Sequence, residues 1–242
     1  MKKFLMLLSI LCCGAYADTI NLHWLNEDGT TYQNSTCTVD SDLNIPTTPP
    51  TKYGYTFTGW KIANYIPIEY LESTGTQWID TGVVPTNTTS IDFEFAYTVL
   101  NGNQVIFGSR TKDDWYNSND QMFISCSNYS DGIYMFSGTS KVKALSGPIS
   151  GNTFYKIVVN NSSATSTSTQ PISLYALNDK GTFLAHGKIK MKYVKIYDND
   201  ILIRDFIPVL DYNGVPCMYD KVEGKFYYNQ GTGQFIAGPV LQ

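Results

Sequence analysis

Arginine is nearly missing from this chain: Arg110 and Arg204 are the only two in 242 residues. Charged residues of all kinds make up 16%, and the formal net charge is −4. Nucleic-acid binding needs clustered cations to neutralise phosphates, so this composition argues against nucleic acid as a partner and against polybasic membrane attachment. Histidine is as scarce. His23 and His186 lie far apart in sequence and offer neither zinc spacing nor a Ser/His/Asp order. Past residue 13 the cysteines are Cys37, Cys126 and Cys217, too few for a disulfide scaffold. A Cys126–Cys217 bridge and three buried thiols both remain open. No stretch repeats apolar residues at helical spacing over a useful length. Gly231-Thr232-Gly233 is not followed by a helical pattern, so it is no phosphate loop.

What the chain does have is tyrosine, 18 of them, with aromatics at 14% and abundant Thr, Ser, Asn and Gly. That composition favours strands and turns. Residues 1–17 read as a signal peptide. Lys2 and Lys3 form a positive start, Phe4–Cys13 an apolar run too short to span a bilayer, and Ala15-Tyr16-Ala17 a small-x-small cleavage site. Cys12 and Cys13 raise a lipoprotein alternative, but the residues before them suit acylation poorly. Cleavage would start the mature chain at Asp18 and take the net charge to −6. The expectation is an exported protein, extracellular, cell-surface or periplasmic, with no transmembrane segment in the mature chain.

Thr19–Trp24 alternates Ile20, Leu22 and Trp24 with polar residues, and Asn26-Glu27-Asp28-Gly29 is a turn. Pro46, Pro49 and Pro50 keep the next stretch extended. Then comes Pro50-Thr51-Lys52-x-Gly54-Tyr55-Thr56-Phe57-x-Gly59-Trp60. This signature resembles the closing segment of the internalin-type B repeat, and the resemblance covers about residues 18–62. It implies a small β-grasp-like module of bacterial surface proteins that spaces and presents other domains. The copy is single and short, and its Asn26-Glu27-Asp28-Gly29 turn replaces the usual Asn-Gly-Gly. Tyr55, Phe57 and Trp60 are expected to be its core, because so small a module needs aromatics to bury enough area.

Residues 66–242 read as one large all-β domain of antiparallel strands, a β-sandwich. Ser90–Thr98 alternates Ile91, Phe93, Phe95 and Tyr97 with Asp92, Glu94 and Ala96. Gly187–Tyr197 alternates Lys188, Lys190 and Lys192 with Ile189, Met191 and Tyr193, and turns back at Asp198-Asn199-Asp200. Ile68–Gly82, with two alternating runs around Ser73-Thr74-Gly75-Thr76, predicts an opening hairpin. Its Glu69–Gly82 motif, taken with Leu202–Pro208, Met218-Tyr219-Asp220, Gly224–Tyr227 and Gly231–Gly238, resembles the concanavalin A-like or laminin G-like jelly roll of bacterial surface and phage proteins. The resemblance implies two curved sheets with adjacent terminal strands. The opening stretch should therefore meet Gly224–Gly238 as a clasp, with Trp78 mainly in the core.

Two constellations could carry chemistry. Asp92 and Glu94 lie two apart on a strand, so their carboxylates project from one face about 7 Å apart, a separation that suits glycoside hydrolysis. The bland alternative is a solvated outer face. The Arg110–Gln121 loop holds Asp113, Asp114, Trp115, Tyr116, Asn119 and Asp120, with Trp78, Tyr129 and Tyr134 able to extend it if the concave face is exposed. Its rings could stack on a sugar and its oxygens could hold Ca²⁺, although the spacing fits no metal loop and no cofactor is expected. A bare loop is the plainer reading. The sequence thus points to a non-catalytic binding or adhesion-type protein whose sandwich engages a glycan or surface protein. A structural envelope component is the next reading, and a hydrolase using Asp92 or Glu94 the last.

Overall fold

The computed structural model describes residues 2–11, 19–25, 31–38, 45–51, 53–62, 65–111, 120–126, 128–162 and 168–241. Every regular element among them is a β-strand, and no helix is long and apolar enough to cross a membrane. The chain divides into two compact units. The first comprises residues 1–69, 210–215 and 239–242, the second residues 70–209 and 216–238.

The first unit is built on a four-stranded sheet of β1 (Lys2–Leu11), β2 (Thr19–Leu25), β3 (Thr31–Thr38) and β4 (Tyr55–Ile62), in the order β3-β2-β1-β4. Residues 2–11, within the stretch read as a leader, form a strand antiparallel to β2 and parallel to β4. Leu22, Trp24 and Cys37 are buried with Tyr32 packed on them, and Trp24 Nε1 donates to Ser35 Oγ at 2.8 Å. Phe57 is half-buried; the side chains of Tyr55 and Trp60 lie outside the described residues. A short strand, β5 (Tyr65–Pro67), meets the chain's end, where Leu241 N–H donates to the Pro67 carbonyl at 3.1 Å.

In the second unit the strands are β6 (Leu71–Glu72), β7 (Ile79–Asp80), β8 (Ser90–Tyr97), β9 (Gln104–Arg110), β10 (Gln121–Cys126), β11 (Gly132–Ser137), β12 (Ser140–Ser146), β13 (Tyr155–Asn160), β14 (Ser173–Leu174), β15 (Leu177–Asp179), β16 (Thr182–Leu184), β17 (Ile189–Asp198), β18 (Ile201–Asp211), β19 (Pro216–Asp220), β20 (Lys225–Tyr227) and β21 (Ile236–Ala237). They form two largely antiparallel sheets, ordered β12-β11-β10-β9-β14-β7 and β13-β8-β17-β18-β19-β20. The sheets face each other as a β-sandwich. Phe93 of one meets Phe107 of the other edge to face at 5.0 Å, and buried Tyr175 donates from its hydroxyl to the Leu71 carbonyl at 2.9 Å. Burying side chains of this size contributes about 2 kcal/mol each.

The alternation on β8 holds: Ile91, Phe93, Phe95 and Tyr97 are fully buried while Asp92 and Glu94 are partly exposed. On β17 it shifts. Met191 pairs with Phe95 but Tyr193 pairs with Glu94, leaving Lys192 as an extra residue. This bulge moves Tyr193 to the outer face and hands the core to Val194 and Ile196, since one inserted residue inverts every following side chain.

The expected opening hairpin does not form. β6 pairs with β17 and β21, whereas β7 pairs with β14, so the two arms enter opposite sheets. The connection between them explains the splay. Gln77 Oε1 accepts from Thr74 N–H at 2.8 Å and from Ser73 Oγ at 3.1 Å, filling the turn with buried polar side chains that hold it too wide for a two-residue hairpin. The expected clasp does form. Leu71 and Glu72 pair with Ala237 and Ile236, Gln230 N–H donates to the Trp78 carbonyl at 2.9 Å, and Thr232 N–H donates to the Thr76 carbonyl at 3.2 Å. Trp78 is only half-buried, not a core residue; it stacks on Phe183 with centroids 3.4 Å apart.

Cys126 and Cys217 are buried thiols and do not form the bridge. Burial pushes the Cys126 thiol up to about 11, with the Asp131 charge adding to the effect and the Asn128 backbone opposing it. Iodoacetamide at pH about 8 should therefore leave Cys126 unlabelled in the native protein and label it in urea. Labelling of the folded chain would refute its placement. Because the fold disfavours the Cys126 thiolate, the folded state has its full advantage below pH about 9 and loses it as pH rises through about 11.

Candidate functional site

Of the residues singled out in the Arg110–Gln121 loop, Asp113, Asp114, Trp115, Tyr116 and Asn119 lie outside the described residues. Tyr134 is described, and its surroundings are ionic. Its hydroxyl donates to Asp131, whose other oxygen takes Lys143 Nζ at 2.7 Å. Lys141 Nζ and Lys143 Nζ stand 4.2 and 5.3 Å from its ring centroid. Hydrogen bonds from Lys143 and then Tyr134 hold the Asp131 carboxyl below its usual range. The ring that was to extend a stacking platform is already flanked by two lysines. Tyr129 is engaged as well, its hydroxyl accepting from Gln104 Nε2 at 2.8 Å.

The strands beside that loop are closed. Every residue of β9 and β10 is buried, although each strand has one face toward the opposite sheet and one away from it. A stacked pair, Phe123 and Phe136 at 4.3 Å, packs with Val105 and Leu177. Arg110 grips Asp179 through Nε at 3.0 Å and Nη2 at 2.8 Å. Aromatic residues here serve packing.

The carboxylate pair on β8 is likewise engaged. Asp92 accepts from the Tyr193 hydroxyl at 2.8 Å, and Glu94 stands 3.3 Å from Lys192 Nζ. Both partners come from the bulge on β17, which sequence periodicity had assigned to opposite faces. Burial, aided by Asp92, raises the Tyr193 phenol well above its usual value. His186 is half-buried and desolvation lowers its pKa. No three His, Cys, Asp or Glu side chains gather as a metal site among the described residues.

An open concavity lies elsewhere among the described residues. A cleft of about 430 Å³ is bounded by Asp80 of β7, Arg204 of β18 and the β20 segment from Glu223 to Gln230. One wall is an ion network. Arg204 Nη2 meets Glu223 at 2.7 Å, its Nη1 donates to the Ile203 carbonyl at 2.8 Å and its Nε to the Thr81 carbonyl at 3.3 Å. Behind it, fully buried Asp220 stands 3.5 Å from Arg204 Nε. The Tyr227 hydroxyl donates to the other Glu223 oxygen at 2.6 Å, and burial followed by that contact pushes the phenol up to about 12. Phe226 and Tyr228 supply the apolar surface, with ring centroids 6.1 Å apart and Tyr228 exposed.

Around this wall stand polar groups with capacity to spare. Asp80 Oδ1 accepts from Gly82 N–H at 2.8 Å, and Oδ2 has no hydrogen bond among the described residues. Lys225 Nζ lies 5.1 Å from the Tyr227 ring, and among the described residues the Gln230 amide reaches the Tyr228 carbonyl alone, at 3.4 Å. Sequence reasoning used these segments as signatures of domain closure and missed the cleft. The available signal was Arg204, one of two arginines, followed by a Glu-Gly-Lys-Phe-Tyr-Tyr run. No family model matches the chain, and no curated protein matches it either.

Proposed function

We propose that the protein is an exported, non-catalytic binding protein whose β-sandwich takes its ligand, a glycan or a surface protein, in the Asp80–Tyr228 cleft. One observation carries the reading: an open cleft with aromatic surface and uncommitted polar groups, braced by the Arg204 network. Sites of this kind bind through apolar contact and orient through a few placed polar atoms. The leader-like N-terminus and the B-repeat resemblance fit export and presentation at a surface. The engagement of Asp92 and Glu94 by Tyr193 and Lys192 favours binding over hydrolysis.

Screening the full chain against an oligosaccharide array and against envelope-protein fractions tests this. Tyr228→Ala is expected to weaken whatever binds by about tenfold or more, as loss of an aromatic anchor does. Binding indifferent to Tyr228→Ala and Lys225→Gln would remove the cleft from the reading. Asp92→Asn and Glu94→Gln should leave binding unchanged. A glycosidase turnover that both substitutions abolish would restore the hydrolase.

A further inference from the structure

The charges of the cleft are divided unevenly. Arg204 and Glu223 neutralise each other, with Asp220 behind. Asp80 and Lys225 line the same cleft, yet neither has an ion-pair partner among the described residues. Opposite charges within 4 Å would pair; these two are held on separate strands of separate sheets, β7 and β20. A neutral polyol would use neither charge fully, and a simple anion would gain Lys225 while meeting Asp80 and Glu223. A ligand carrying both charges beside an apolar side chain satisfies all three features of the cleft.

We propose that the cleft recognises the zwitterionic head of a free amino acid, with Asp80 taking the ammonium, Lys225 the carboxylate and Tyr228 the apolar side chain. This rests on the reading of the cleft as a binding site and names its ligand. The two charged arms act over solvent-accessible contacts, so each contributes modestly and the pair contributes selectivity. Ligands lacking one charge lose one arm, and the matching protein variant becomes blind to that loss.

The test is a titration of isotope-labelled full-length protein with L- and D-phenylalanine, phenylalanine amide, N-acetylphenylalanine and methyl β-glucoside, followed by amide shifts around the cleft. At least one hand of phenylalanine should give saturable shifts, and the amide and N-acetyl forms should bind about tenfold more weakly. Lys225→Gln should abolish the preference over the amide, and Asp80→Asn the preference over the N-acetyl form. If neither hand of phenylalanine gives saturable shifts, or if both single-charge forms bind as well as the parent, the zwitterion assignment is overturned. Shifts with methyl β-glucoside alone overturn it while leaving the binding reading intact. No shifts with any probe, together with array binding untouched by Tyr228→Ala, overturn both.

Discussion

Gly231→Ala is expected to destabilise the sandwich by about 3 kcal/mol, the sum of overpacking and two weakened backbone hydrogen bonds. A Cβ at position 231 would lie 2.0 Å from the Thr76 carbonyl oxygen and 2.9 Å from the Trp78 ring. Neither can give way cheaply. Thr76 O accepts from Thr232 N–H, and Trp78 is held against Phe183 on one side and bonded to Gln230 N–H through its carbonyl. The added methyl therefore forces residues 76–78 away from residues 230–232 and opens the clasp. In a unit of this size the loss should lower the melting temperature by roughly 10 °C. Gly224→Ala is the comparison. Its φ of +68° disfavours a side chain, but the nearest atom to the new Cβ, Tyr219 Oη, is an ordinary 3.6 Å away, so the cost should be about 1 kcal/mol. Thermal unfolding followed by tryptophan fluorescence reads both effects, because Trp78 sits in the clasp. A Gly231→Ala melt no lower than that of Gly224→Ala would show that the two ends of the domain do not meet as described.

The clasp also marks how far the sequence was legible. Alternation along β8, and the composition as a whole, announced the all-β sandwich, because buried and solvated faces need residues of opposite character at period two. The resemblance to a jelly roll drew attention to Ile68–Gly82 and Gly224–Gly238 without telling which sheet each arm joins. That depends on Gln77, a polar residue that folds its amide back into the turn, and no periodicity reports such a contact. The bulge at Lys192 is illegible for a similar reason: the lysine continues the pattern perfectly well, and only the mismatch with β8 shows that it is extra. The cleft was the least legible feature. Aromatic and acidic residues close together in one loop drew attention to Asp113–Tyr116, while Asp80, Arg204 and Lys225 are brought together only by the pairing of distant strands. A scarce arginine and the Glu223–Tyr228 run are visible in the sequence, but nothing local shows that they meet each other and Asp80.

Arg204→Ala is the substitution expected to cost most outside the clasp, about 3–5 kcal/mol. Asp220 is fully buried, and its Oδ1 accepts from the backbone N–H of Asp205 at 2.8 Å and of Val222 at 3.0 Å. Its Oδ2 makes no hydrogen bond and is compensated by the Arg204 side chain 3.5 Å away. Removing the guanidinium strands that carboxylate in a low-dielectric interior, and it releases Glu223 from the wall of the cleft at the same time. These two consequences separate experimentally. Adding Asp220→Asn to Arg204→Ala removes the stranded charge but keeps the Oδ1 acceptor for both backbone donors, so the double variant should regain about half of the lost stability. It should not regain binding, because Glu223 and Tyr227 still lack the brace that holds their side of the cleft. Urea unfolding of the single and double variants, measured beside ligand titration, gives both readouts. Equal stability of the single and double variants would mean that Arg204 does not serve as the counter-charge of Asp220. Recovered stability with fully recovered binding would mean that the network supports the fold alone and that the cleft needs no rigid wall.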